Sequence, residues 1–237
     1  MTPPTARTDT SPATPPGPPL EEGQRLTREE FERRDDAMPD LKKAELIEGV
    51  VYMGSPVRLE GHGEEHVLLV GWLFLYLGST PGVRGGDNTT IRLDTDNEPQ
   101  PDACLLIDPS RGGNVRIEDG DIIGATELVA EVAGSHLSRD LGTKLAVYQR
   151  NGVKEYLVWR VEDRAIDWFA LRDGQFVKLA PDGNGVLRSE VFPGLWLDAA
   201  AAIAGDVARV LAVLQQGLAT PEHAAFVARL QRPPASP

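Results

Sequence analysis

Apolar and polar residues alternate through KKAELIEGVVYMGSP on both sides of Glu48-Gly49, a turn-prone pair. Period two around a tight turn predicts a β-hairpin. Ahead of it, LTREEFERRDD opens on Thr27 and carries Glu30 three residues later. That capping box predicts a short helix to about Asp36. Behind it, GEEHVLLVGWLFLYLG is apolar on several faces and predicts a largely buried helix from about His62 to Leu77. Short runs then read as strands: GVRGGDNTTIRLD, PDACLLIDP, DIIG and TELVAEVA. The stretch SRGGNVRIEDGD between them has the composition of a mobile loop.

SHLSRDLGTKLAVYQRNG predicts a helix, with Ser138 as its cap, Leu141, Leu145 and Tyr148 on a 3–4 spacing, and Asn151-Gly152 as its stop. VKEYLVWRVE and AIDWFALR predict two strands about the polar turn EDR, with FVKLA as a third. FPGLWLDAAAAIAGDVARVLAVLQQGL and PEHAAFVARLQ predict C-terminal helices. The order is helix, hairpin, helix, strands, helix, strands. It defines a mixed α/β (α+β) fold with a central mixed sheet flanked by helices. No ladder of βα units, GxGxxG or Walker A loop occurs, which discounts a TIM barrel and a Rossmann fold.

Composition sets the boundaries. Residues 1–24 hold seven prolines and no apolar pattern, and read as a disordered tail. Residues 25–218 form the domain with its C-terminal helix, and 219–237 a short helix and flexible end. No run reaches a membrane span, no secretory signal opens the chain, and its one cysteine, Cys104, excludes a disulfide framework. The expectation is a cytoplasmic protein. Net charge is -12, which argues against holding nucleic acid through a basic surface. It leaves room for carboxylates that meet phosphate through a metal.

Glu131 interrupts the apolar strand TELVAEVA. An ionised, unpaired, buried carboxylate costs several kcal/mol, on the order of 3–5. It therefore needs a metal ion, a lysine or solvent at an edge strand, and both the buried and the edge readings stand open. Asp102 begins a second apolar run, QPDACLLI. Two adjacent strands would then present carboxylates near one end, about 4–6 Å apart, where a cation between them is the usual resolution. Oxygen-only ligands favour Mg²⁺ or Mn²⁺. Asp140, Lys144 and Tyr148 follow at i, i+4 and i+8 on one helix face. Asp140–Lys144 is either a surface ion pair, about 0.3–0.5 kcal/mol, or a device that carries the Lys144 ammonium to the carboxylates. Glu45, in the hairpin, is a fourth candidate.

AELIEGVVYMGSP, His62, QPDACLLI and ELVAEVAGSHLSRDLGTKLAVYQRNGVKEYLVW together resemble the signature blocks of the Uma family of restriction endonuclease-like proteins, within the PD-(D/E)XK nuclease superfamily. The resemblance spans about residues 26–200. It implies a restriction endonuclease-like core and metal-dependent hydrolysis of DNA phosphodiester bonds. Asp102 matches the PD aspartate and Glu131 the second acid. The superfamily's lysine position, two residues on, is Ala133 here; Lys144 matches the position to which the Uma lysine is displaced. Glu45 matches the ELI-x-G glutamate, completing a metal set of Asp102, Glu131 and Glu45. His62 matches a family histidine and, with Asp140, stands as an accessory residue; Tyr148 is expected to pack rather than take part.

The exposed edge of the last hairpin and the apolar terminal helix could support a homodimer, as nucleases of that superfamily often do. Two other readings remain: a non-catalytic binding or regulatory module that keeps the nuclease fold, which the net charge favours, and a hydrolase or toxin-like component with another substrate.

Overall fold

The structure, a computed structural model, describes residues 17–134 and 137–232. Most of the N-terminal tail and the last five residues therefore lie outside the described residues. Residues 17–24, read as tail, pack onto the fold: Leu20 is buried with Phe31, Ala44, Leu46 and Val51, and the Gly23 N–H donates to Val51 O at 2.8 Å. Helix α1 (Arg28–Asp35) starts where Thr27 Oγ1 accepts the Glu30 N–H at 3.3 Å. Strands β1 (Ala44–Ile47) and β2 (Val50–Met53) make the hairpin. Both of its turn residues take positive φ, Glu48 at 52° and Gly49 at 70°, as the tight turn requires.

An irregular wide turn over Leu59–Gly63 leads into α2 (Glu64–Ser79). Then come β3 (Val83–Asp87), β4 (Ile91–Arg92) and β5 (Ala103–Ile107). The stretch expected to be a mobile loop instead holds β6 (Arg116–Glu118). It turns through Asp119-Gly120 onto β7 (Asp121–Ile123), which also pairs with β4. Ile117 and Val115 face the core there, an anchor that the polar composition hid. Strand β8 is Leu128–Ala133.

The next helix is not regular. A π-type turn spans Arg139–Lys144 before α3 (Leu145–Asn151), and Ser138 already has helical angles and makes no side-chain cap. Gly152, at φ 86°, ends α3. Strands β9 (Glu155–Arg160), β10 (Ala165–Arg172) and β11 (Gln175–Lys178) follow. The segment expected to be wholly helical begins with a strand. Strand β12 (Val186–Arg188) pairs with β13 (Trp196–Asp198). Asp198 then caps α4 (Ala199–Ile203), Asp206 caps α5 (Val207–Leu218), and α6 (Pro221–Gln231) closes the chain. Phe226 and Leu230 of α6 are buried in the main core, so that helix belongs to the body of the fold.

The central sheet runs β11-β10-β9-β8-β5-β3; β8 and β9 are parallel and the other neighbours antiparallel. Alternate residues of β8 serve opposite faces. Leu128, Ala130 and Val132 pack with Leu69 and Trp72 of α2, while Val129 and Ala133 pack with Tyr148 of α3 and Tyr156. Trp159 and Trp168 are core residues of the first face. Glu131 falls on the α3 face, in the same register as Val129 and Ala133. Among the described residues no helix is long and apolar enough to cross a membrane.

Candidate active site

Strand β8 lies between β5 and β9, so Glu131 has no solvent-facing strand edge, and the buried reading holds. Ala103 of β5 stands opposite Ala130. Extending that antiparallel register by one residue sets Asp102 opposite Glu131. Asp102 Oδ2 accepts the Val132 N–H at 2.8 Å, which fixes the carboxylate at the end of the strand pair.

Glu45 arrives from the hairpin. Leu46 exchanges two backbone hydrogen bonds with Glu98, at 3.1 and 2.7 Å, so β1 is laid along the chain leading into Asp102. The Gln100 N–H then donates to Glu45 Oε1 at 2.9 Å. This pairing, invisible to local pattern, is why a hairpin glutamate is 3% exposed rather than solvated.

Lys144 completes the group. Its Nζ donates to Glu45 Oε1 at 2.7 Å and to Glu131 Oε1 at 2.8 Å, and the residue is 2% exposed. One turn on, the Tyr148 hydroxyl donates to the same Glu131 oxygen at 3.2 Å. Tyr148 packs against Tyr156 as expected but also touches the site, which the sequence reading discounted. Asp140 and Lys144 are both buried, so the surface-pair reading fails. Asp140 makes no direct ion pair with Lys144 among the described residues; its backbone carbonyl accepts the Tyr156 hydroxyl at 3.0 Å.

The outer side of Asp102 is cationic. Lys43 Nζ lies 3.1 Å from Oδ1, and His62 Nε2 lies 3.4 Å from Oδ2. His66 Nε2 is 3.3 Å from the Asp102 carbonyl oxygen and 3.0 Å from Asp87 Oδ1. Lys43 and His66 were not singled out in the sequence. Lys43 does directly precede the AELI strand that carries Glu45, and His66 is one helical turn after His62.

Electrostatics separates the carboxyls. Burial and the nearby Asp102 and Glu45 charges outweigh Lys144 at Glu131, raising it to about 7. Burial also opposes ionisation of Glu45, but Lys144 and Lys43 more than offset it and hold Glu45 low. Asp102 is held well below the usual range: burial pushes it up, and His62, Lys43 and the Val132 N–H together push harder downward. Burial disfavours the Lys144 ammonium, yet Glu131, Glu45 and Asp140 raise its pKa further and keep it protonated. The hydrogen bond to Asp102, opposed by burial, raises His62.

The donor chemistry of Asp102, Glu131 and Glu45 suits a hard divalent ion. Oε2 of each glutamate carries no hydrogen bond among the described residues. As these side chains stand, the Lys144 ammonium joins the two glutamates. Among the described residues no three His, Cys, Asp or Glu side chains are grouped to hold a metal.

Comparison with known proteins places the chain. The family Uma2, described as "Putative restriction endonuclease", matches residues 28–200, and the chain belongs to that family. A crystal structure from Anabaena variabilis, titled a putative nuclease belonging to DUF820, shares its fold. It is 15% identical, with a TM-score of 0.51, over 75% of this chain and 99% of that one. Among curated proteins, none matches.

Proposed function

We propose that the chain is a metal-dependent endonuclease that hydrolyses DNA phosphodiester bonds. The observation carrying this reading is the buried joining of Glu45 and Glu131, from separate segments, by the Lys144 ammonium, with Asp102 fixed at the adjoining strand end by the Val132 N–H. Family membership supports the nuclease class.

In this reading Asp102, Glu131 and Glu45 would hold Mg²⁺ or Mn²⁺, which would supply a water of lowered pKa and charge neutralisation for the phosphate. Lys144 stabilises negative charge growing on the phosphate, the task of a preorganised cation. Its contacts to both glutamates fix its position without cost at the moment of reaction. Tyr148 orients Glu131 through their hydrogen bond. Lys43 and His62 keep Asp102 ionised.

A second reading, a non-catalytic nuclease-fold module, is favoured by the ion pairs of Lys144 to both glutamates, which already neutralise much of the cluster. Incubating supercoiled plasmid and single-stranded DNA with Mg²⁺ or Mn²⁺ separates the two. The nuclease reading expects cleavage by the wild type and a loss of 100-fold or more, about the scale of one electrostatic catalytic group, in Asp102→Ala and Lys144→Ala. Equal background cleavage in all three proteins supports the module instead.

A further inference from the structure

We propose that Arg139 is a phosphate-binding residue of this site, held for that task on the ring of Tyr52. This rests on the nuclease reading and names how the DNA strand is gripped beside the carboxylates.

In the hairpin, Tyr52 stands directly opposite Glu45, so the two side chains share a face. Glu45 is the residue that reaches Lys144. The Arg139 guanidinium carbon lies 4.9 Å from the Tyr52 ring centroid, a cation–π arrangement that places a cation beside the Glu45 wall of the site. Arg139 also begins the segment that ends in Lys144, so one stretch of chain delivers both cations.

The hydrogen bonding of Arg139 is incomplete. Four arginines have a buried Nε without a hydrogen bond: Arg28, Arg92, Arg139 and Arg160. Three of them face a carboxylate oxygen, Arg28 and Arg92 at 3.0 and 3.1 Å from Glu32 and Arg160 at 2.8 Å from Asp167. Arg139 faces none within ion-pair distance among the described residues, although its field reaches the neighbouring Asp140. Arg139 is a half-buried residue whose covered Nε has no partner, and its two outer guanidinium nitrogens make no hydrogen bond or ion pair among the described residues, so its donors are incompletely used. Its planar fork matches phosphate oxygens, and ring stacking leaves the fork edge available. Lys43 lies on the Asp102 side, so cations flank the carboxylates on two sides of a chain whose net charge is -12. On such an acidic protein, local cations are what a polyanion requires at the point of contact.

The test is fluorescence polarisation with labelled double- and single-stranded oligonucleotides in Ca²⁺ and in EDTA, across a salt series, alongside thermal unfolding. Arg139→Gln is expected to weaken binding about tenfold and to lower the log–log salt slope by about one, the signature of one lost phosphate contact. Tyr52→Leu should shift affinity the same way by less, Tyr52→Phe should match wild type, and Arg139→Lys should keep the slope with partial affinity. Wild-type affinity and slope in Arg139→Gln overturn the assignment, as does weakened binding with an unchanged slope, which marks a structural role. If the wild type cuts plasmid while Arg139→Gln binds normally, the assignment falls and the nuclease reading survives. If the wild type neither cuts nor binds DNA, the nuclease reading itself falls and takes this assignment with it.

Discussion

Lys144 and Glu131 are joined at 2.8 Å by side chains that are 2% and 5% exposed. Removing one partner of a buried ion pair leaves the other charge uncompensated. Lys144→Ala is therefore expected to lose about 3–5 kcal/mol in urea unfolding. Adding Glu131→Gln to that variant should recover part of the loss, because neighbours in one network are not additive. A fully additive double variant would show that the pair is not coupled.

Tyr148 gives a milder test. Its hydroxyl bond to Glu131 is buried, and Tyr148→Phe keeps the ring contact with Tyr156. The loss should be about 1 kcal/mol, the ordinary net value of one hydrogen bond. An unchanged midpoint in denaturant would show that the hydroxyl does not hold Glu131.

His62 should titrate above 6.5 by NMR in EDTA, because its contact with Asp102 favours the imidazolium. Asp102→Asn should bring it down. A raised histidine contributes stability below its unfolded value of about 6.5 and loses it as pH rises through the folded value. The wild type should show that loss and the variant should not.

A further pH effect comes from three raised carboxyls, of which Glu131 is in the site and Glu98 and Glu155 are outside it. Burial, then the neighbouring Glu32 carboxylate, push Glu98 up to about 8, while burial takes Glu131 and Glu155 to about 7. A raised carboxyl binds more protons folded than unfolded, so its contribution is present at low pH and is lost as pH rises through the folded value. Melting temperature should fall from about pH 5 upward. Glu98→Gln should make the fall shallower across about pH 5 to 8, and should remove most of what remains above about pH 7.5, where the other two carboxyls are largely ionised. An equally steep fall in that variant would assign the effect elsewhere.

Much of this fold is written in local pattern. The hairpin turn at Glu48-Gly49, the capping box of α1 and the αL stop at Gly152 follow from residue chemistry over a few positions. What escaped depends on distant partners. Strand β6 is anchored by Val115 and Ile117 against the core, and β13 exists because Val186–Arg188 comes back to pair with it. At the site, Asp102, Glu131 and Lys144 stand out as charges set in or beside apolar runs. Tyr148 was legible too, one turn beyond Lys144, but its ring made packing a sufficient explanation. The burial of Glu45 was not legible, because it follows from the Leu46–Glu98 bridge across the fold. Lys43 was hidden by its place in a run of ordinary surface charges.

In the proposed nuclease, Asp102, Glu131 and Glu45 would share one divalent cation. Calorimetric titration of Mn²⁺ into the wild type and into Asp102→Ala with Glu131→Gln tests it most directly. The wild type is expected to take up about one ion per chain, and the variant none at that site. No uptake by the folded wild type, or equal uptake by both proteins, would contradict it.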